Sequence, residues 1–242
     1  MKVVGGRHHY GQAIGILTLD TRFPRIVGDV GNATTYDFPV RFRYIRGASI
    51  PRVVKEKDPK LLKPFVEAAR ELEKDGVRAI TTSCGFLSIF QDELASAVEI
   101  PVFTSALMLV PLVHRMLGPK EKVGIITADS SSLSNAHLVA AGIDPKTVVV
   151  EGLQFEPEFS KIYNNELEFD PKKVEAEVLR AATRIRNKND QVKAIVFECA
   201  NLPPYAEAVH KSLGLPVFDI VTLAKLVYNG VVIDQRFTRG FM

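Results

Sequence analysis

Cys84 and Cys199 are the only cysteines in a chain of 242 residues, and each closes a short apolar run. Val77 to Thr82 leads into Ser83-Cys84-Gly85 and then into a helical pattern, while the second thiol sits in VKAIVFECANLPPY. A strand that turns into a helix puts its thiol at the carboxyl end of the strand, where open α/β sheets bind ligands, and beside the positive end of the helix. That position predicts a thiolate that forms more readily than that of a free cysteine. Two thiols on opposite sides of one carbon can take a proton from one face as thiolate and return a proton to the other as thiol. Such a pair inverts a stereocentre without a cofactor or a metal, and cysteine suits both roles because its pKa lies near neutrality. Backbone N–H groups at the helix starts would take up the charge that gathers on a neighbouring carboxylate in the transition state.

The elements that must position these thiols occur twice. VRAITTSCGFLSIFQDELASAVEIPVFTSALMLVPLV aligns without a gap on VKAIVFECANLPPYAEAVHKSLGLPVFDIVTLAKLVY, at an offset of 115 residues, the separation of Cys84 from Cys199. A weaker echo at an offset of 109 links Ile14-Gly15-Ile16-Leu17-Thr18 with Val123-Gly124-Ile125-Ile126-Thr127. Strands alternating with helices of this length predict parallel sheets with helical layers. The expected architecture is α/β, with two pseudo-symmetric parallel-sheet domains and an active site in the cleft between them. Residues 1–104 plus 219–242 would form the first domain and residues 105–218 the second.

Lys60 to Lys74 is the clearest helix, with Leu61, Leu62, Phe65, Ala69 and Leu72 on one face and Gly76 as its stop. Further helices are predicted over Ala106 to Leu117, from Asp170-Pro171, after Pro203-Pro204, and over Thr222 to Val232, with strands at Val40–Ile45, Lys122–Ala128, Val148–Gly152 and Pro216–Phe218. Arg22 to Asp58 is irregular and rich in Gly, Pro and Arg. No GxxxxGK[ST] occurs, and Gly5, Gly6 and Gly11 precede a strand instead of joining strand to helix, so a phosphate-cradling loop is not expected.

The formal net charge of +3 is slight, which argues against a nucleic-acid partner. No apolar run approaches the length of a membrane span, and the amino terminus lacks the apolar core of a signal peptide. A cytoplasmic, reducing location follows, with free thiols as the default over a regulatory disulfide.

Two parallel α/β units, each with one cysteine at a strand end, resemble the aspartate/glutamate racemase superfamily. TTSCGFLSIFQDEL followed by IPVFTS is similar to members of its broad Asp/Glu/hydantoin racemase family, and the likeness spans nearly the whole chain. It implies an isomerase: a cofactor-independent racemase or epimerase that inverts the α-carbon of a small amino acid or derivative. Cys84 and Cys199 would be catalytic, and the loops after Leu19, Thr82, Thr127 and Glu198 would hold a small carboxylate-bearing substrate. The substrate-binding candidates are Asp20, Thr21, Thr82, Ser83, Gly85, Thr127, Ser130, Ala200 and Asn201. No cofactor, metal, nucleic acid or membrane is expected, and the resemblance leaves room for a homo-oligomer.

The amino-acid racemases commonly place Asn or Thr after the first cysteine and Thr after the second, where this chain has Gly85 and Ala200. The alternatives on the same scaffold are decarboxylation of a malonate-type acid, as in arylmalonate decarboxylases, and cis-trans isomerisation of maleate. A non-catalytic two-lobed ligand-binding protein is the alternative from another class.

Other residues carry weaker signals. Asp20 either positions substrate or caps the turn after the first strand. Arg22, Arg46 and Arg52 either offer guanidinium forks to a distal carboxylate or remain solvated. Asp129-Ser130-Ser131-Ser132 can cap a helix and offer hydroxyls to a ligand. His8 and His9 lack a third metal ligand at a recognisable spacing. His114, His137 and His210 read as surface or packing residues.

Overall fold

The computed structural model describes residues 5–6 and 9–233; His8 lies outside the described residues. In chain order the elements are β1 (Ile14–Thr18), β2 (Val40–Tyr44), α1 (Leu62–Asp75), β3 (Ala79–Thr82), α2 (Gln91–Ser96), β4 (Val102–Phe103), α3 (Leu109–Met116) and β5 (Lys122–Thr127). They continue with α4 (Asn135–Ala140), β6 (Val148–Gly152), α5 (Phe159–Tyr163), α6 (Pro171–Lys188), β7 (Val192–Phe197), α7 (Ala206–Leu213), β8 (Val217–Phe218) and α8 (Ile220–Val231).

The strands form two parallel sheets of the same order, β2-β1-β3-β4 and β6-β5-β7-β8. The registers repeat with the order. Ile14 pairs with Ala79 in the first sheet, and Val123 pairs with Ala194 in the second, so the two offsets seen in the sequence meet in one pair of strands. Likewise Ile80 pairs with Val102, and Ile195 with Val217. The central strands β1, β3, β5 and β7 are buried over nearly all their length, as strands covered by helices on both faces must be. Gly15 and Gly124 hold equivalent places in β1 and β5. A side chain at either would collide with the layer packed on it, Leu72 and Val77 in one case and Ile185, Ile195 and Val192 in the other.

α1 forms where expected. A 3-10 turn over Pro59–Leu61, capped by the Asp58 side chain, precedes it, Pro64 falls in its first turn, and Gly76 ends it in the left-handed conformation. Its buried stripe is Phe65, Ala68, Ala69 and Leu72. Truncating Leu72 to Ala would cost about 2–5 kcal/mol, the range for a large core side chain. α8 returns to the first half of the chain: it packs on β3, and Tyr228 stacks on Phe38 with ring centroids 3.9 Å apart. α3 packs instead against β5 and β7. Among the described residues no helix is long and apolar enough to cross a membrane.

Candidate active site

Equivalent sheets place equivalent strand ends together, and Cys84 and Cys199 line one cleft. Cys84 keeps part of its surface exposed, whereas Cys199 is buried; both are free thiols. Thr82 fixes the turn around Cys84. Its hydroxyl donates to the Thr104 carbonyl (2.7 Å) and accepts from the Cys84 amide (3.3 Å). Ser83 Oγ accepts from the Leu19 amide at 3.0 Å, which ties the end of β3 to the end of β1.

Neither thiol has the lowered pKa that a helix start would give. The element after Cys84 is a 3-10 helix, Gly85–Phe90, and the one after Cys199 begins only at Pro203. Burial pushes Cys84 up to about 12, and the negative charge of Glu198 adds to the rise, while N–H groups of Phe86 and Leu87 oppose it. Cys199 is likewise raised well above its ordinary value, again by burial first and Glu198 second. Desolvation outweighs the short helix dipole, so the resting pair is two thiols.

The two thiols differ in their partners. Cys199 Sγ donates to Asn201 Oδ1 at 3.5 Å. The other end of that amide, Nδ2, donates to Asp29 Oδ2 at 2.8 Å, and Asp29 Oδ1 accepts from Arg25 Nη1 at 2.9 Å. Because Asp29 requires the amide nitrogen, the amide oxygen faces Cys199. A bond to that oxygen can be made only by the protonated thiol. The loop carrying Arg25 and Asp29 belongs to the first half of the chain but docks on the second, with the Val30 amide donating to the Ala200 carbonyl.

Glu198 lines the same cleft, and its charge acts on both thiols. It is 1% exposed, its Oε2 accepts from Thr127 Oγ1 at 2.6 Å, and its Oε1 has no hydrogen-bond partner. Burial raises its pKa to about 7 against the pull of Thr127 and the Ala128 N–H. Gly85 makes room for it, since a side-chain carbon at that position would collide with both Glu198 Oε1 and the Glu198 carbonyl oxygen.

The rest of the cleft is largely apolar. Phe23, Phe86 and Ile50 line it with Val54 from a π-helical turn at Pro51–Lys55, and Phe159, Ile162 and Tyr163 of α5 face them from the second half. Tyr163 Oη donates to Asp129 Oδ2 at 3.0 Å. Asn165, just after α5 and at φ +62°, accepts from the Arg22 and Phe23 amides at 2.6 and 3.2 Å, which pins α5 to the loop after β1. Arg25 is the lining residue of positive charge, stacked 4.2 Å over Phe23 and donating from Nη2 to Thr21 Oγ1. Among the described residues no group of three His, Cys, Asp or Glu side chains could hold a metal ion.

A profile of the Asp/Glu/hydantoin racemase family matches residues 49–225. The chain belongs to that family. A dimethylsulfoniopropionate lyase of Durusdinium sp. clade D is 32% identical, in an alignment covering 93% of this chain and 77% of that protein. Among solved structures, a mutant of arylmalonate decarboxylase in a sulfate-associated form superposes with a TM-score of 0.61 at 17% identity, covering 92% of this chain and 94% of that one. Glutamate racemase from Francisella tularensis, in complex with D-glutamate, superposes at 0.57 with 21% identity, covering 90% and 80%. These likenesses show the racemase fold, and the family is one of enzymes.

Of the residues singled out in the sequence, Thr21, Ser83, Cys84, Gly85, Cys199, Ala200 and Asn201 line the cleft of this family member. Thr82 and Thr127 stand behind it, holding Cys84 and Glu198. Asp20 turns away and caps the Gly47 amide at 2.9 Å, and Ser130 pairs with Gln154 at the far edge of the second sheet. The hydroxyls of Ser131 and Ser132 fold back onto Asp129 instead of capping α4, whose cap is Ser134. Arg52 pairs with Asp58 and the Gly47 carbonyl and does not line the cleft, whereas Arg25 does. His137 takes the packing role of its two readings, fully buried against Phe86.

Arg25, Asp29 and Glu198 are the site residues that sequence reasoning missed. For Glu198 a signal existed: an acidic residue directly after the buried run Ala194–Phe197 is out of place unless something uses it.

Proposed function

We propose that the chain is a cofactor-independent lyase that breaks a carbon–sulfur bond in a small onium carboxylate of the dimethylsulfoniopropionate type. The α-proton passes to Cys84, the bond to the sulfonium sulfur breaks as its electron pair leaves with dimethyl sulfide, and acrylate remains. The observation that carries the reading is the inequality of the thiols. Racemisation needs two groups that exchange roles, whereas elimination needs one base, and Cys199 is engaged as a hydrogen-bond donor to an amide fixed by Asp29. The likeness to the Durusdinium lyase supports the substrate class.

The cleft suits such a molecule. A sulfonium carries its charge on an apolar group and is favoured against the faces of Phe86, Phe159 and Tyr163. Arg25 is the natural partner for the carboxylate. A cation in the cleft also offsets the negative charge of Glu198 and so eases formation of the Cys84 thiolate.

Incubating the protein with dimethylsulfoniopropionate and reading dimethyl sulfide in the headspace tests the proposal; release dependent on Cys84 is the expected result. Inversion of a small amino acid is the second reading, favoured by the presence of both thiols in one cleft. Loss of optical rotation from an amino-acid panel in D2O, with no dimethyl sulfide, would replace the first reading by the second.

A further inference from the structure

The buried carboxyl of Glu198 exchanges no proton in the elimination as described, yet its placement is unusual. Oε2 is held by Thr127, while Oε1 lies unpartnered against Gly85, the residue that follows Cys84. An orphaned carboxyl oxygen in a buried site is costly and calls for an explanation. We propose that Glu198 is the proton acceptor for the Cys84 thiol, taking its proton as the substrate seats and releasing it to solvent after the products leave. This rests on the lyase reading for its substrate, but not for the coupling between the two groups.

The proton balance closes. The resting site holds a Glu198 carboxylate and a Cys84 thiol. Transfer gives carboxylic acid and thiolate; the thiolate takes the α-proton and is a thiol again; the C–S electron pair leaves with dimethyl sulfide. Loss of the carboxyl proton to water restores the carboxylate, and the net products are dimethyl sulfide, acrylate and one proton.

The surroundings favour such a transfer. The charge of Glu198 acts on Cys84 at the end of β3 and on Cys199 beside it, and Asp129 at the end of β5 acts on Glu198 in turn. Tyr163 and Arg25 complete the charged and titratable lining of the cleft. As Glu198 becomes neutral, the repulsion that holds Cys84 in its thiol form disappears, so the two protonation changes assist one another.

The test reads Cys84 without any substrate. In full-length Cys199→Ser protein, the rate of Cys84 alkylation by iodoacetamide is followed by mass spectrometry from about pH 5.5 to 10, with Glu198 intact and as Glu198→Gln. The thiolate–carboxylic acid pair carries as many protons as the thiol–carboxylate pair, so its population stops rising once Glu198 has titrated. With Glu198 the profile is therefore expected to climb to a plateau with an inflection near pH 7, then climb again in strong alkali. With Gln it should rise in one step. In otherwise unaltered protein, Glu198→Gln should lower kcat for dimethyl sulfide release about 100-fold, in the range of a lost proton acceptor, with Glu198→Asp partly restoring it. Identical alkylation profiles with Glu and Gln would overturn the proposal. An enzyme that makes no dimethyl sulfide but shows the two-step profile would overturn the substrate reading and leave the Glu198–Cys84 coupling standing.

Discussion

The two ends of the repeat, Cys84 after β3 and Cys199 after β7, occupy equivalent backbone positions and have different surroundings. At the first, the next residue is Gly85 and the space a side chain would fill is taken by the Glu198 carboxyl. At the second, the next residue is Ala200, and Asn201, Asp29 and Arg25 form a chain of hydrogen bonds that starts at the sulfur. A pseudo-symmetric scaffold supplies two thiols; a loop from one half and a carboxyl from the other make them unequal. On the lyase reading, that inequality is what leaves one thiol as the base.

The largest expected difference is in turnover. Cys84→Ala should lower dimethyl sulfide release about 1,000-fold or more, the upper part of the range for a general base, which corresponds to roughly 4 kcal/mol of barrier. Cys199→Ala should cost about tenfold, because it removes a neighbour and not the base. Equal losses, read from kcat/KM of the two variants, would restore the symmetry of the pair and with it the case for inversion.

Next in size is the dependence of stability on pH that Glu198 imposes. Its folded pKa of about 7 lies above the ordinary 4.5, so between these values the folded state holds a proton that the unfolded chain has lost. Stability from this group is fully present below pH 4.5 and falls as pH rises to 7, by roughly 3 kcal/mol. His137 acts in the opposite direction: burial lowers it from 6.5 to about 4, so its contribution rises over that interval. Urea midpoints of wild type and Glu198→Gln across pH 4 to 8 separate the two, since His137 cancels in the difference. A flat difference curve would mean that Glu198 ionises in the fold as freely as in water.

How far such contrasts could be foreseen depends on the range of the interactions. The repeat was readable because it is local: apolar runs, a thiol and Pro-Val-Phe recur at one spacing, and strand order and register follow. The thiols and the small residues after them could be named for the same reason. The segment from Arg22 to Asp58 resisted, because its role comes from contacts that no periodicity reports. Val30 reaches Ala200, and Asp29 reaches Asn201, far along the chain. Thiol ionisation was misjudged because helix starts can be guessed from sequence while burial by α5 and the π-helical turn cannot.

Substituting the residue after each thiol sharpens the contrast by packing alone. Gly85→Ala forces a methyl group into the Glu198 carboxyl and carbonyl, and should destabilise by about 1–3 kcal/mol, the range for overpacking a tight site. Ala200→Gly, its counterpart, should cost under about 1 kcal/mol. Thermal melts of both proteins at pH 8 measure the pair, and comparable losses would mean that Glu198 yields easily and that the space beside Cys84 is not reserved for it.

The smallest effect bears on what holds Cys199 as a thiol. Asn201→Ala removes the acceptor of the Cys199 bond and one donor to Asp29, for about 1 kcal/mol of stability, since Asp29 keeps its bonds from Arg25 and the Gly31 amide. Without an acceptor that only the protonated form can use, the thiolate of Cys199 becomes easier to form. Alkylation of Cys199 relative to Cys84, read at pH 8 by mass spectrometry, should rise several-fold while dimethyl sulfide release changes by less than about fivefold. An unchanged ratio would show that burial alone keeps Cys199 protonated, and the chain from Arg25 to Asn201 would then serve to dock the loop on the second domain instead of setting the proton on the sulfur.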